Sequence, residues 1–351
     1  MTHAVLLCAL GLAAALQPRA AIIAAPSARE LERVAPQLIS DGDSVLCAGL
    51  ALGSQIEMLK CLAGDAGRIV AVDVPRKESR SRRELFQSEA VDDVRPLTRA
   101  GDVTAVLRPD ECFDCVVVDA AALLGFDLPL DTLALCEGLR RRQSEKSPVV
   151  LVRSSSLATL SGRLAAGDGL ERIARILRMH DERPSLDETR IYEAQPVIVG
   201  ARGVREYRSC IDTVVRPGDR ILELGCHFGT TTAILAEAVG PDGYTLGVDV
   251  GPSIIAKAQE EHPGVDFVVG DAWGVGGLAA LGPWDVVFVD VGGLSGADGT
   301  LDALALARSL GAALEPRAIV LKSKCLRLLA RKLAPSTRLA NEWDHERIEY
   351  V

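Results

Sequence analysis

The chain has 351 residues, 48% of them hydrophobic and 25% charged, which excludes wholesale disorder and suggests two domains. Its net charge of -9 excludes a generally basic nucleic-acid binder, though not a local basic patch. Aromatic residues make up only 4%, so the core must be aliphatic.

The amino-terminal segment comes first. Ala4 to Leu16 is an apolar run of 13 residues that ends in Ala13-Ala14-Ala15, a small-residue pattern suited to signal cleavage. The stretch that follows is Ala-rich and carries Arg19 and Arg29. Its composition resembles a transit peptide, so residues 1–28 are expected to be a two-part leader directing the protein to a plastid. A plain secretory signal is the alternative. No apolar run reaches the roughly 18–20 residues a membrane-spanning helix needs, so no membrane span is expected. Of the nine cysteines, Cys47, Cys115 and Cys226 fall in or beside predicted buried strands, where thiols act as small apolar groups.

The rest of the chain is one unit written twice. The segments starting at Asp41 and Pro217 align without a gap over 34 residues, placing Gly49 on Gly225, Gly53 on Gly229 and Asp73 on Asp249 at a constant offset of 176. The correspondence continues in order. Gly101-Asp102 falls on Gly270-Asp271, FDCVVVDAA from Phe113 on WDVVFVDVG from Trp284, and VVLVRSSSL from Val149 on AIVLKSKCL from Ala318. DETRIYE from Asp187 and HERIEYV from His345 close the two copies. A tandem duplication follows, with domains expected at 29–201 and 202–351, a joint near Gly200–Arg205, and the halves packed as a pseudo-dimer.

Each copy alternates short β-branched runs with amphipathic helix-length segments, the pattern of a parallel sheet covered by helices on both faces. The expected class is therefore α/β, two tandem Rossmann-like domains with doubly wound sheets. In the second copy the predicted strands are Arg220–Leu224, Thr245–Asp249, Asp266–Val269, Asp285–Val289 and Ala318–Leu321. The predicted helices are Thr230–Val239, Pro252–Glu261, Thr300–Leu314 and Lys324–Leu333.

ILELGCHFGTTT sets a strand, a Gly-x-x-x-Gly turn and a helix start in sequence. Gly225 and Gly229 permit close backbone approach to a ligand, and the helix start offers free N–H groups. Asp249 ends the next strand, where a carboxylate can accept hydrogen bonds from two ribose hydroxyls. Asp271, followed by Ala272 and Trp273, ends the third strand and is placed to meet an adenine amino group, with Trp273 covering the ring. The run from Gly225 to Thr230 fits the dinucleotide template G-x-G-x-x-G poorly.

Glu223-Leu224-Gly225, followed by Asp249 and Asp271, resembles the S-adenosylmethionine (SAM)-dependent methyltransferase superfamily. That resemblance implies SAM as cofactor, with Glu223 helping to hold the methionine end and Asp249 the ribose. His227 stands where many members carry glycine. The strings GTTT, AVGPDG, WDVVFVDV and IVLKSKCL narrow the resemblance to fibrillarin-type methyltransferases. These act on RNA ribose hydroxyls and in some cases on a protein glutamine. The resemblance implies Asp290 and Lys322 as the catalytic pair. The family's early lysine has no match, and Arg205 or Arg208 sits there instead.

Asp290 and Lys322 end the fourth and fifth predicted strands, near one pocket mouth. A lysine beside an aspartate can favour a developing oxyanion and receive its proton; a surface lysine and a turn-capping aspartate are the structural alternative. From Arg317 to Arg338 there are seven basic residues and no acid. Lys324, Arg327 and Arg331 share one helical face, suited to an anionic acceptor such as RNA or a small acid, or to plain solvation. In the first copy Cys47 replaces Glu223 and Arg153 replaces Lys322, so that half is expected to keep its fold and lose catalysis. The reading is a SAM-dependent methyltransferase whose active half is the second. A non-catalytic scaffold with a nucleotide pocket and an NAD-linked oxidoreductase are the alternatives.

Overall fold

The computed structural model describes residues 21–49, 53–73, 90–97, 103–108, 110–141, 148–182 and 195–336. Its strands are β1 (Ile22–Ala25), β2 (Ser44–Ala48), β3 (Arg68–Asp73), β4 (Asp93–Pro96), β5 (Cys115–Asp119), β6 (Val149–Arg153) and β7 (Leu164–Ala166), then β8 (Val197–Ala201), β9 (Arg220–Leu224), β10 (Tyr244–Asp249), β11 (Asp266–Val269), β12 (Val286–Val289), β13 (Ala318–Lys322) and β14 (Leu333–Pro335).

They form two parallel seven-stranded sheets, ordered β14-β1-β6-β5-β2-β3-β4 and β11-β10-β9-β12-β13-β8-β7. Written from the opposite edge, the second order repeats the first strand for strand. The central strands are continuous apolar runs because helices cover both faces. RILEL of β9, VVFV of β12 and AIVLK of β13 are buried almost throughout. The α/β, doubly wound reading therefore holds. In the second copy β9, β11 and the helices Thr230–Val239 and Pro252–Glu261 have the predicted bounds.

Two expectations are corrected. The leader cannot extend to residue 28. Ile22–Ala25 is fully buried and pairs with β6 on one side (Ile22↔Val150) and β14 on the other (Ile22↔Leu333). Ser27 then caps the helix Ala28–Val34 through Glu30 N–H, 3.3 Å from its Oγ. The apolar IIAA run within that stretch is a buried strand of the sheet. Residues 1–20, with the cleavage motif, lie outside the described residues, as do the DETRIYE and HERIEYV segments.

The domain boundary also moves. The two compact units are Met1–Gly162 with Lys332–Val351, and Arg163–Arg331. The cause is the last strand of each copy. β7 leaves the first copy and pairs with β8 (Leu164↔Ile198), while β14 leaves the second and pairs with β1 (Leu333↔Ile22). Each unit thus completes its sheet with three residues from the other copy's sequence, and a cut at 201/202 would separate β8 from the sheet it belongs to.

Candidate cofactor and active site

In the second unit β9 is the strand from which the chain first winds one way, to β10, and later the other, to β12. The crevice beyond the carboxyl ends of β9 and β12 is the topological switch point where open α/β sheets take ligands. Gly225 follows β9 with φ of 80°, and a Cβ on it would stand 2.2 Å from the Asp290 carbonyl oxygen. Only glycine fits that position. His227, at φ 48°, holds the left-handed turn despite its side chain, at a cost of about 1–2 kcal/mol. Its N–H donates to Asp249 Oδ2 at 3.1 Å. Gly229, at φ 81°, precedes the helix Thr230–Val239, and a Cβ there would meet the Phe267 ring at 2.5 Å.

The remaining cofactor candidates gather along the ends of β10 and β11. Asp249 also accepts from Gly251 N–H at 3.2 Å and is half-buried. Asp271 is exposed and accepts from Trp273 N–H at 3.0 Å, with Ala272 buried between them. Trp273 is 49% exposed and Val250, next to Asp249, 67% exposed. Two carboxylates with free valence, flanked by exposed apolar side chains beside a cradle that admits no Cβ, fit the sugar and base of a nucleoside.

Glu223 lies deeper, 2% exposed, at the end of β9. Thr232 Oγ1 donates to its Oε2 at 2.6 Å, and Tyr207 Oη reaches its Oε1 at 3.5 Å. Tyr207 is itself fully buried, edge-on to Phe288 at 5.2 Å between ring centroids. Burial pushes the Glu223 carboxyl up to about 8, Thr232 pulls it down, and the Asp290 charge raises it further. Tyr207 and Thr232 were not foreseen as site residues.

Asp290 and Lys322 meet. Val289 pairs with Leu321, so the residues that follow each come out side by side, and Lys322 Nζ forms an ion pair with Asp290 Oδ1. Both side chains are part-exposed, at 23% for Asp290 and 31% for Lys322, so the pair is accessible to an acceptor. Ser323, fully buried, donates to the Leu294 carbonyl and accepts from Leu326 N–H at 3.1 Å. That anchors the segment on which Lys322 stands.

The basic helix face is not free. Arg327 Nε donates to both Glu206 oxygens, at 2.7 and 3.0 Å, and its Nη2 contacts Asp168 at 2.8 Å. Arg331 also reaches Asp168 at 2.8 Å. Two of the three cations proposed for an anionic acceptor are thus already matched by carboxylates. Lys324 remains exposed. The matching acids come from elsewhere in the chain, which no local reading of the helix reveals.

In the first unit the ion pair recurs as Arg153–Asp119. Gly49 keeps its positive φ of 105° after β2. The buried polar trio does not recur. At the offset of 176, Tyr207, Glu223 and Thr232 correspond to Leu31, Cys47 and Ile56, all buried. Burial holds the Cys47 thiol up to about 12, so it stays neutral. The side chain of Asp73 and the whole of Asp102 lie outside the described residues.

Residues 198–298 match the model of the protein-L-isoaspartate(D-aspartate) O-methyltransferase family. The arsenite methyltransferase of Halobacterium salinarum is 31% identical over 142 residues, 37% of this chain and 36% of that protein. The protein-L-isoaspartate O-methyltransferase of Ignicoccus hospitalis is 30% identical over 108 residues, 28% of this chain and 50% of that protein. A fibrillarin-like rRNA/tRNA 2'-O-methyltransferase of Thermococcus onnurineus is 35% identical over 81 residues, 22% of this chain and 36% of that protein. The chain thus spans between about a third and a half of these relatives' lengths. A TehB-like SAM-dependent methyltransferase structure from Corynebacterium glutamicum matches at TM-score 0.26 and 22% identity, over 36% of this chain and 70% of that one, too low a score to argue from. The family match and the three relatives share one chemistry across different acceptors.

Proposed function

We propose that the second unit, a member of the SAM-dependent methyltransferase superfamily, transfers a methyl group to an acceptor hydroxyl, and that the first unit does not catalyse. The observation carrying this reading is the Asp290–Lys322 ion pair, part-exposed beside the Gly225 cradle, with Asp290 following β12, the strand that neighbours β9, and Lys322 ending β13 next to it. SAM would supply an electrophilic methyl group on sulfur. Asp249 and Asp271 would hold the ribose and adenine, with Trp273 and Val250 as apolar cover. Gly225, His227 and Gly229 shape the turn against which the cofactor lies, Ala272 fixes the spacing of Asp271 and Trp273, and Glu223 stands beneath the methionine end.

The pair supplies the acid–base chemistry. An acceptor hydroxyl placed against it can donate its hydrogen bond to Asp290, which takes the proton. Lys322 keeps its charge and favours the oxyanion that develops. Orientation of the hydroxyl accounts for much of the remaining acceleration.

The fibrillarin-like relative favours a ribose hydroxyl, and the isoaspartate relatives favour a carboxylate oxygen. The Asp290–Lys322 pair suits the first, because a carboxylate needs no proton removed. The matched state of Arg327 and Arg331 argues against a broad phosphate-binding face. Calorimetry with SAM, S-adenosylhomocysteine and NAD tests the cofactor. A tritiated-methyl survey of RNA, protein and metabolite extracts then identifies the acceptor. Binding of NAD in preference to SAM would overturn the reading.

A further inference from the structure

Glu223 presents an unusual problem of charge. It is 2% exposed, and among the described residues no ion pair of it is found. Its close donors are neutral, the hydroxyls of Thr232 and Tyr207. The Tyr207 contact, at 3.5 Å, is long, so Oε1 is the less satisfied oxygen. The charged and titratable groups around it come from every neighbouring element. Tyr207 and Arg208 lie on the helix Val204–Ser209, Cys226 follows β9, and Asp290 follows β12 with Lys322 paired to it. Arg208 is turned to Thr231 Oγ1 at 3.0 Å, and Lys322 is occupied by Asp290. The Arg208 charge pulls the carboxyl down somewhat, but burial outweighs it: a carboxylate buried without an ion-pair partner is costly, and the neutral acid is the favoured form.

We propose that Glu223 couples cofactor binding to proton release: the carboxyl is neutral in the free protein and ionises when the cationic head of the cofactor enters beside it. The proton passes to solvent, and the carboxylate takes the ammonium or sulfonium charge as its missing partner. This rests on the SAM reading above. The first unit provides the contrast. Leu31, Cys47 and Ile56 occupy the same positions, and none of them can exchange a proton near neutral pH.

In keeping with that geometry, burial pushes the Glu223 carboxyl up to about 8. Below that pH, binding must remove a proton, so affinity should rise about tenfold per pH unit. Above it, the rise should stop. The amino group of SAM titrates in the same region, so the neutral analogue 5'-methylthioadenosine, which lacks that head, serves as a control.

The test is an infrared difference spectrum of the full chain with and without SAM, using carbon-13 glutamate. It is paired with calorimetry in two buffers of different ionisation enthalpy. The expected result is loss of a carboxylic-acid band and gain of a carboxylate band, absent in Glu223→Gln and absent with 5'-methylthioadenosine. Proton release should approach one per SAM near pH 6.5 beyond that of Glu223→Gln, and vanish above about pH 9. Thr232→Val, which removes a donor to the carboxylate, should carry the release about one pH unit higher. SAM binding with an unchanged carboxyl band, or equal proton release in wild type and Glu223→Gln, would overturn the coupling and leave the cofactor reading intact. No heat of SAM binding at any pH would overturn both.

Discussion

The two sheets of this protein have the same strand order, the same parallel sense and a cation–carboxylate pair at the ends of corresponding strands, Arg153–Asp119 at β6 and β5 and Lys322–Asp290 at β13 and β12. They differ at three buried positions. Where the second has Tyr207, Glu223 and Thr232, the first has Leu31, Cys47 and Ile56. All six side chains are buried, and all six help fill a core. The fold therefore tolerates either set, because it depends on apolar strands and on backbone pairing. The proposed site depends on a carboxyl that can change its charge. A first copy without catalysis, as proposed above, need not have a weaker fold. A buried polar network replaced as a unit by apolar residues is often neutral or stabilising.

The sharpest way to break that comparison is chemical. Lys322→Ala should lower turnover by about 10²–10⁴ while SAM affinity stays nearly unchanged, whereas Arg153→Ala should leave turnover intact. Lys322→Arg should rescue poorly, because a guanidinium is larger and differently shaped. Steady-state rates with the acceptor found in the methyl survey decide this. Full activity of Lys322→Ala would make the pair structural in both copies.

Cofactor affinity should show the next largest effect. Asp249→Ala removes charge-assisted hydrogen bonds worth about 2–4 kcal/mol, a roughly 30-fold or greater loss measured by calorimetry. Grafting the first copy's trio into the second, as Tyr207→Leu, Glu223→Cys and Thr232→Ile together, should weaken SAM binding at least about tenfold. It should leave denaturant stability within about 2 kcal/mol. Collapse of the grafted protein would show that the trio is structural.

Smaller effects concern stability. The Glu223 carboxyl has a folded value near 8, above the ordinary carboxyl range, so the folded chain holds a proton that the unfolded chain has lost. This contribution is fully present below about pH 4.5 and is lost as pH rises towards 8. Glu223→Gln should flatten the decline in stability over that window in urea titrations. Arg327→Ala should cost about 1–2 kcal/mol, because it strands Glu206 and part of Asp168, and should leave the acceptor KM alone. A raised KM that added salt mimics would restore the anionic-acceptor reading.

Much of this was legible in the residues. The apolar runs of β9, β11, β12 and β13 are long enough to read, and the ordered pair Asp290 and Lys322 follows from where those strands end. Three-residue strands such as LAA and LAP are too short to carry a periodicity, so β7 and β14 were invisible and the domain boundary fell in the wrong place. β1 was hidden because IIAA sits in an Ala-rich stretch. Yet the offset of 176 continues upstream of Asp41 to place Ile22 on Ile198 and Ala25 on Ala201, within β8. The same offset shows Leu31, Cys47 and Ile56 changing together with Tyr207, Glu223 and Thr232. What links them is contact between a helix, a strand and a second helix, which only the fold displays.

The most direct measurement of the central claim is the stoichiometry of SAM binding to the full chain by calorimetry, in wild type, Asp249→Ala and Asp73→Ala. The account predicts one equivalent in wild type, one of unchanged affinity in Asp73→Ala, and binding weakened about 30-fold or more in Asp249→Ala. Two equivalents per chain, or equal losses in the two variants, would contradict the division of labour between the halves.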